Sequence, residues 1–205
     1  MDALRSHILL QCSQELSTYN SHKKMQPHIP EQITLQKQHT QAIESAVLIC
    51  LFKKNNKLHT IYTKRAVQLH DKHSGQISFP GGRFEKNDED YATTALRECY
   101  EEIGINVSNK DICGKLSELY IPLSNFNIHP YIACLSTAPK SYTLQESEVA
   151  EIIETPLKAL IESQKTKTIQ QNDISMHIPY YEYKKHHIWG ATAMITAELL
   201  DILFS

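Results

Sequence analysis

The sequence predicts an α/β domain, a mixed β-sheet with helices on both faces, and three observations carry that expectation. Ala46 to Phe52 is a continuous apolar run, the pattern of a strand covered on both sides. Ala92, Leu96, Cys99 and Ile103 recur at helical spacing, so this segment lays one face on a core. Gly190 to Leu203 reads as a closing helix that is apolar on much of its circumference. Strands and helices are interleaved along the chain, which favours a sheet sandwiched by helices.

A chain of 205 residues with 41% hydrophobic content suits one sizeable domain with a terminal extension. Residues 1 to about 20 are expected to form an amphipathic helix that docks on the domain. Leu4, Ile8, Cys12 and Leu16 fall four apart, and Asp2 stands where a cap belongs. From Ser21 to Gln41 the composition turns polar around Pro27 and Pro30, as in an extended connector. The boundary therefore falls between an N-terminal region, 1–41, and a domain, 42–205.

Lys53 to Lys57, centred on Asn55-Asn56, is a turn, and Leu58 to Arg65 the partner strand. Gln76 to Phe79 is a short strand, and Pro80-Gly81-Gly82 allows a sharp turn toward the helix. Further strands are expected at Lys115–Ile121, His129–Leu135 and Ser175–Tyr183, with a short helix opened by Thr155-Pro156 and running to about Ile161.

Composition narrows function. The net charge of −2 lacks the basic excess of a nucleic-acid binder. No apolar run approaches a membrane span, and no secretory leader is evident. Five cysteines, an odd number with no Cys-x-x-Cys pair, read as reduced thiols of a cytoplasmic protein and give no zinc site. His186-His187 make no metal site either, because neighbours on a strand point to opposite faces.

Chemistry concentrates between Gly81 and Ile105. The helix carries Arg97, Glu98, Glu101 and Glu102; the three glutamates share one face, Cys99 lies on the core face, and Gly104 ends the helix. Clustered carboxylates repel one another and suit a hard divalent cation such as Mg²⁺ that bridges to substrate phosphates, although Glu-x-x-Glu-Glu taken alone is more often a solvated acidic face.

Arg97-Glu98-Cys99-Tyr100-Glu101-Glu102-Ile103-Gly104-Ile105, with Gly82 ahead of it, resembles the Nudix hydrolase signature. The loop between is one residue longer than usual. Asp88 fits the count from Gly82 and Glu89 the count to Arg97, so either can be the acidic residue that steadies Arg97. The resemblance implies a Nudix-type α/β/α sandwich and Mg²⁺ or Mn²⁺ held by Glu98, Glu101 and Glu102. The segment Thr63-Lys64-Arg65 to Leu69, His73, Gly75-Gln76 and Phe79-Pro80-Gly81-Gly82 is similar to an extra motif of the coenzyme A-cleaving branch. Two later segments, Glu148 to Leu157 and Ile188 to Ala193, are similar to that branch too.

Coenzyme A carries a diphosphate and a 3′-phosphate, so its site needs cations beyond the metal. Arg65 offers a phosphate a two-pronged fork, and Lys64, Lys72 and Arg83 lie near it in sequence. The expected substrate residues are Arg65, His73, Gln76, Gly82 and Arg83. The expected catalytic residues are Arg97, Glu101, Glu102 and, from a later loop, Glu148. The implied partner is a small nucleotide, coenzyme A or a derivative, cleaved to 4′-phosphopantetheine and adenosine 3′,5′-bisphosphate. Two other readings stand beside it: a Nudix enzyme for ADP-ribose, NADH or a nucleoside triphosphate, and a nucleotide-binding module without catalysis. Trp189 is read as a packing anchor.

Overall fold

The computed structural model describes residues 1–14, 18–28, 41–68, 74–171 and 174–204. In chain order the elements are α1 (Asp2–Cys12), α2 (Thr18–Met25), β1 (Ile43–Lys54), β2 (Lys57–Arg65), β3 (Ile77–Ser78), β4 (Gly81–Arg83) and α3 (Tyr91–Ile103). They continue as β5 (Ile112–Lys115), β6 (Leu119–Ile121), β7 (Phe126–Cys134), β8 (Val149–Pro156), α4 (Lys158–Ile161), β9 (Gln164–Gln171), β10 (Ile174–Tyr183), β11 (His186–Trp189) and α5 (Gly190–Phe204).

The main sheet runs β3-β2-β1-β7-β5, with β4 also on β1, β6 on β7 and β8 on β2. It is mixed, because β1 and β7 pair in parallel while their other neighbours are antiparallel. The strands β11-β10-β9 form a separate three-stranded sheet. The apolar run in β1 serves both faces, as expected. Leu48, Cys50 and Phe52 pack with Ala95, Cys99 and Ile103 of α3, while Ile49 and Leu51 pack toward α5. Its hairpin to β2 turns on Asn55 (φ 51°) and Asn56 (φ 58°), the left-handed pair that a tight right-twisted hairpin prefers.

Several elements differ from the expectation. The predicted Lys115–Ile121 strand is split into β5 and β6, because the Ser117 N–H and hydroxyl donate to Glu198 on α5 at 3.2 and 2.6 Å. The polar stretch expected to be a connector begins as α2. Met25 is fully buried, the Ser21 hydroxyl and Lys24 donate to Asp201 at 2.6 and 2.7 Å, and His22 pairs with Glu198 at 2.9 Å. Its polar composition is thus spent on specific partners along α5. Residues 29–40, and Leu16 of the first helix pattern, lie outside the described residues. Thr155-Pro156 ends β8 rather than opening a helix; α4 starts at Lys158. The strands β8 and β9 were not expected, since Glu, Gln, Lys and Thr dilute their alternation. Gly81-Gly82 belongs to β4 rather than to a turn.

Candidate active site

α3 starts where Asp90 accepts the Thr93 N–H at 2.7 Å and stops at Gly104 (φ 72°), whose N–H reaches the Tyr100 carbonyl at 2.8 Å. Between these caps the helix buries Ala92, Ala95, Cys99 and Ile103 and turns Glu98 and Glu102 toward β4, with Glu101 exposed one turn on from Arg97. Both glycines of β4 are dictated by close approach. A Cβ on Gly81 would stand 2.3 Å from the Ala46 carbonyl oxygen, and one on Gly82 would stand 2.4 Å from Glu98 Oε1.

The three glutamates differ sharply in environment. Glu102 is 3% exposed, and its Oε2 accepts the Gly81 N–H at 3.3 Å. Burial, then the charge of Glu98, pushes its carboxyl up to about 8, against the opposing pull of Gly81 and Arg65. Glu148 adds to the upward push. Glu98 is raised as well, chiefly by burial, with Arg97 opposing and Glu101 and Glu148 adding to it. Glu101 is exposed and accepts from Arg97 at 2.9 Å.

Arg97 uses all five of its N–H groups within the protein. Nε and Nη2 grip Asp88 at 2.9 and 3.0 Å; Nη2 also reaches the Arg83 carbonyl at 3.1 Å, and Nη1 bridges Glu98 and Glu101 at 3.0 and 2.9 Å. With every N–H engaged inside the protein, Arg97 is placed to position the helix carboxylates. The question between Asp88 and Glu89 is also answered. Asp88 is buried, accepts the Glu85 N–H at 2.9 Å and the Thr94 hydroxyl at 2.8 Å, and is held down to about 2, chiefly by Arg97. Glu89 is exposed.

The rim is stitched together by backbone. Arg65 N–H donates to the Gln76 carbonyl at 2.9 Å, Ala66 N–H to the Glu148 carbonyl at 2.7 Å, and Gln145 N–H to the Glu102 carbonyl at 3.0 Å. Gln68 Nε2 adds a bond to the Ser147 carbonyl at 2.6 Å. Arg65 and Glu148, from separate segments, come near enough to Glu102 to act on its carboxyl, and Gln76 is tied to Arg65 through the backbone. The Arg83 side chain does not join them. It follows Gly82 on β4 and points to the other face, where its guanidinium lies 5.5 Å from the Phe126 ring centroid. His73, with Leu69 and Lys72, lies outside the described residues.

Cys99 is fully buried; His186 is buried against Glu151 while His187 is exposed, on opposite faces of β11. Trp189 is half-buried with Lys167 Nζ 5.4 Å from its ring, and the next turn is tied to β3 by the Thr192 hydroxyl on the Ile77 carbonyl at 3.0 Å. Missed by the sequence was the stack of Tyr91 on His129, 3.7 Å between ring centroids, which seats the first residue of α3 on β7. Nothing in the local pattern links residues so far apart.

Among the described residues no three His, Cys, Asp or Glu side chains converge as a ready metal cage, because Arg97 already bridges Glu98 and Glu101. The donor chemistry nevertheless fits a hard cation. Two carboxylates crowd each other, Glu102 buried and Glu98 half-buried, and Glu102 accepts a backbone N–H from Gly81. No described helix is long and apolar enough to cross a membrane.

Comparison with known proteins agrees with this geometry. The model of the NUDIX domain matches residues 43–176. The human protein named mitochondrial coenzyme A diphosphatase NUDT8 is 32% identical over 163 residues, covering 78% of this chain and 69% of that one. Arabidopsis thaliana Nudix hydrolase 15, mitochondrial, is also 32% identical, over 168 residues, 78% of this chain and 58% of that one. In fold, a MutT/nudix family protein from Enterococcus faecalis superimposes with a TM-score of 0.57 at 14% identity, over 96% of this chain and 72% of that one. With a family domain over most of its length, the signature glutamates on one helix and relatives of this similarity, the chain belongs to the Nudix hydrolase family.

Proposed function

We propose that this Nudix hydrolase cleaves the diphosphate of coenzyme A or its derivatives, releasing 4′-phosphopantetheine and adenosine 3′,5′-bisphosphate. The observation that carries this reading is Arg65, a residue of the coenzyme A-type motif, close enough to buried Glu102 to oppose the upward push on its carboxyl. The likeness to the human coenzyme A diphosphatase supports it. Residues 42–205 are the proposed catalytic domain, with α1 and α2 as an extension folded against it.

Glu98, Glu101 and Glu102 are proposed to hold one or more Mg²⁺ or Mn²⁺ ions. Bound there, a divalent cation neutralises diphosphate charge and lowers the pKa of a coordinated water. The chain's own residues supply the rest. Asp88 and Arg97 fix the helix carboxylates in place. Water forms a bond to one phosphorus in line, and the bridging P–O bond breaks, leaving its electron pair on the other phosphate. The water's proton goes to a carboxylate. Glu148 is the acceptor we assign, since Glu102 is engaged by Gly81 and Glu101 by Arg97. Arg65 binds a substrate phosphate, and Gly82 leaves Glu98 room beside β4.

Phosphate-coupled turnover of coenzyme A, ADP-ribose, NADH and dinucleoside polyphosphates with Mg²⁺ and with Mn²⁺ tests the proposal. Coenzyme A or an acyl or disulfide derivative should have the highest kcat/KM. Faster cleavage of ADP-ribose would overturn the substrate while leaving the hydrolase. The five free thiols suit a reducing compartment, the cytoplasm read from composition or the mitochondrial interior alike. The human and Arabidopsis relatives are mitochondrial by name, and cell fractionation decides.

A further inference from the structure

We propose that Cys113 and Cys134 are an oxidative modification site: a dithiol that a peroxide closes into a disulfide across β5 and β7. The two strands are antiparallel neighbours, and a bulge between Ile112 and Gly114 makes Cys113 the extra residue on β5. The irregularity brings its sulfur to 2.9 Å from that of Cys134, with both side chains in the core on the α1 side of the sheet. Little needs to move for the sulfurs to bond.

The surroundings favour reaction at this pair. Arg5 of α1 donates to the Ile112 carbonyl at 3.1 Å and also to the Lys110 carbonyl, which brings a fixed positive charge beside β5. The Cys134 thiol is held below its ordinary range, first by the hydrogen bond from Cys113 and then with help from Arg5. A third thiol, Cys12 of α1, stands directly over the bulge; a Cβ on Gly114 would lie 2.7 Å from its sulfur. The other close pair, Cys50 and Cys99 at 3.9 Å, is sealed between β1 and α3 with no cation offered by its described neighbours, and serves as an internal comparison.

The step balances. Cys134 thiolate attacks one peroxide oxygen; an S–O bond forms, the O–O bond breaks, and the hydroxide released takes a proton to become water. Cys113 sulfur then attacks the Cys134 sulfenic sulfur; the S–S bond forms, the S–O bond breaks, and a second water leaves with the Cys113 proton. Two thiols are oxidised and one peroxide is reduced. Cys113 and Cys134 are 1% and 5% exposed, so the reagent enters when α1, which covers them, opens locally.

The test is peptide mapping of the full chain after treatment with equimolar hydrogen peroxide, alkylation of remaining thiols and digestion without reductant. The expected product is a Cys113–Cys134 cross-link lighter by two hydrogens, reversed by dithiothreitol, while Cys50 and Cys99 stay reduced. Closing a loop of 21 residues should raise Tm by about 5–10 °C in the oxidised protein. Cys113→Ser should abolish the cross-link and leave Cys134 as a sulfenic acid that dimedone labels. A cross-link through Cys12, oxidation of Cys50 and Cys99 first, or no thiol consumed would each overturn the proposal, and mapping of the unaltered chain decides even if the variant folds poorly.

Discussion

Replacing Asp88 separates the two acidic residues of the long loop and measures the clamp on Arg97. Asp88 makes four contacts in a side chain that is 4% exposed: two charge-assisted bonds from Arg97 at 2.9 and 3.0 Å, one from the Glu85 N–H at 2.9 Å and one from the Thr94 hydroxyl at 2.8 Å. Asp88→Ala removes two charge-assisted bonds from the guanidinium, which keeps Glu98, Glu101 and the Arg83 carbonyl, and costs about 1.5–3 kcal/mol. The charge-dependent share follows from protonation. The carboxyl is held at about 2 against an ordinary 3.8, a difference equivalent to roughly 2–3 kcal/mol. Because the folded value is the lower one, this stabilisation is fully present above 3.8 and is lost as pH falls through about 2. Asp88→Asn, which keeps the shape, should therefore lose about 2–3 kcal/mol at pH near 7, and the gap to wild type should close progressively in acid. Glu89→Ala should change stability by under about 0.5 kcal/mol. Urea unfolding of the three variants across pH gives these numbers. Turnover of Asp88→Asn should fall about 10–100-fold, because Arg97 no longer holds Glu98 and Glu101 in register. A Glu89→Ala cost as large as that of Asp88→Ala, or an Asp88→Asn gap independent of pH, would refute the clamp.

Glu102 tests the opposite sign. Its folded value of about 8 lies above the ordinary 4.5, so the folded state keeps a proton that the unfolded chain releases. In chelator, stability should decline as pH rises through that window, with a total of at most about 5 kcal/mol, and Glu102→Gln should flatten the curve while abolishing turnover; thermal unfolding across pH checks both. Arg65 is expected to read the 3′-phosphate. Wild type should prefer coenzyme A over dephospho-coenzyme A by about ten- to a hundredfold in kcat/KM, and Arg65→Ala should treat the two alike. Equal losses on both substrates would move Arg65 to the diphosphate or to the fold.

The class of fold and the helix carboxylates are legible in the sequence alone. Both are local properties: the apolar run of β1, the helical spacing of Ala92, Cys99 and Ile103, and the register of Glu98, Glu101 and Glu102 are read within a few turns of chain. The asparagine turn and the Gly104 stop are likewise local chemistry. Tertiary structure decided what sequence spacing leaves open. Counting residues offers Asp88 and Glu89 equally, but only Asp88 is folded back under Arg97 and capped by Thr94. Three glutamates of one face become three different acids, because α3 packs against β4 and buries Glu102 while leaving Glu101 in water. The polar stretch after residue 20 looks unable to bury itself, yet its Ser21, His22 and Lys24 find Asp201 and Glu198 on α5. Burial and pairing are made by segments far apart in the chain, so they arise only when the chain is packed.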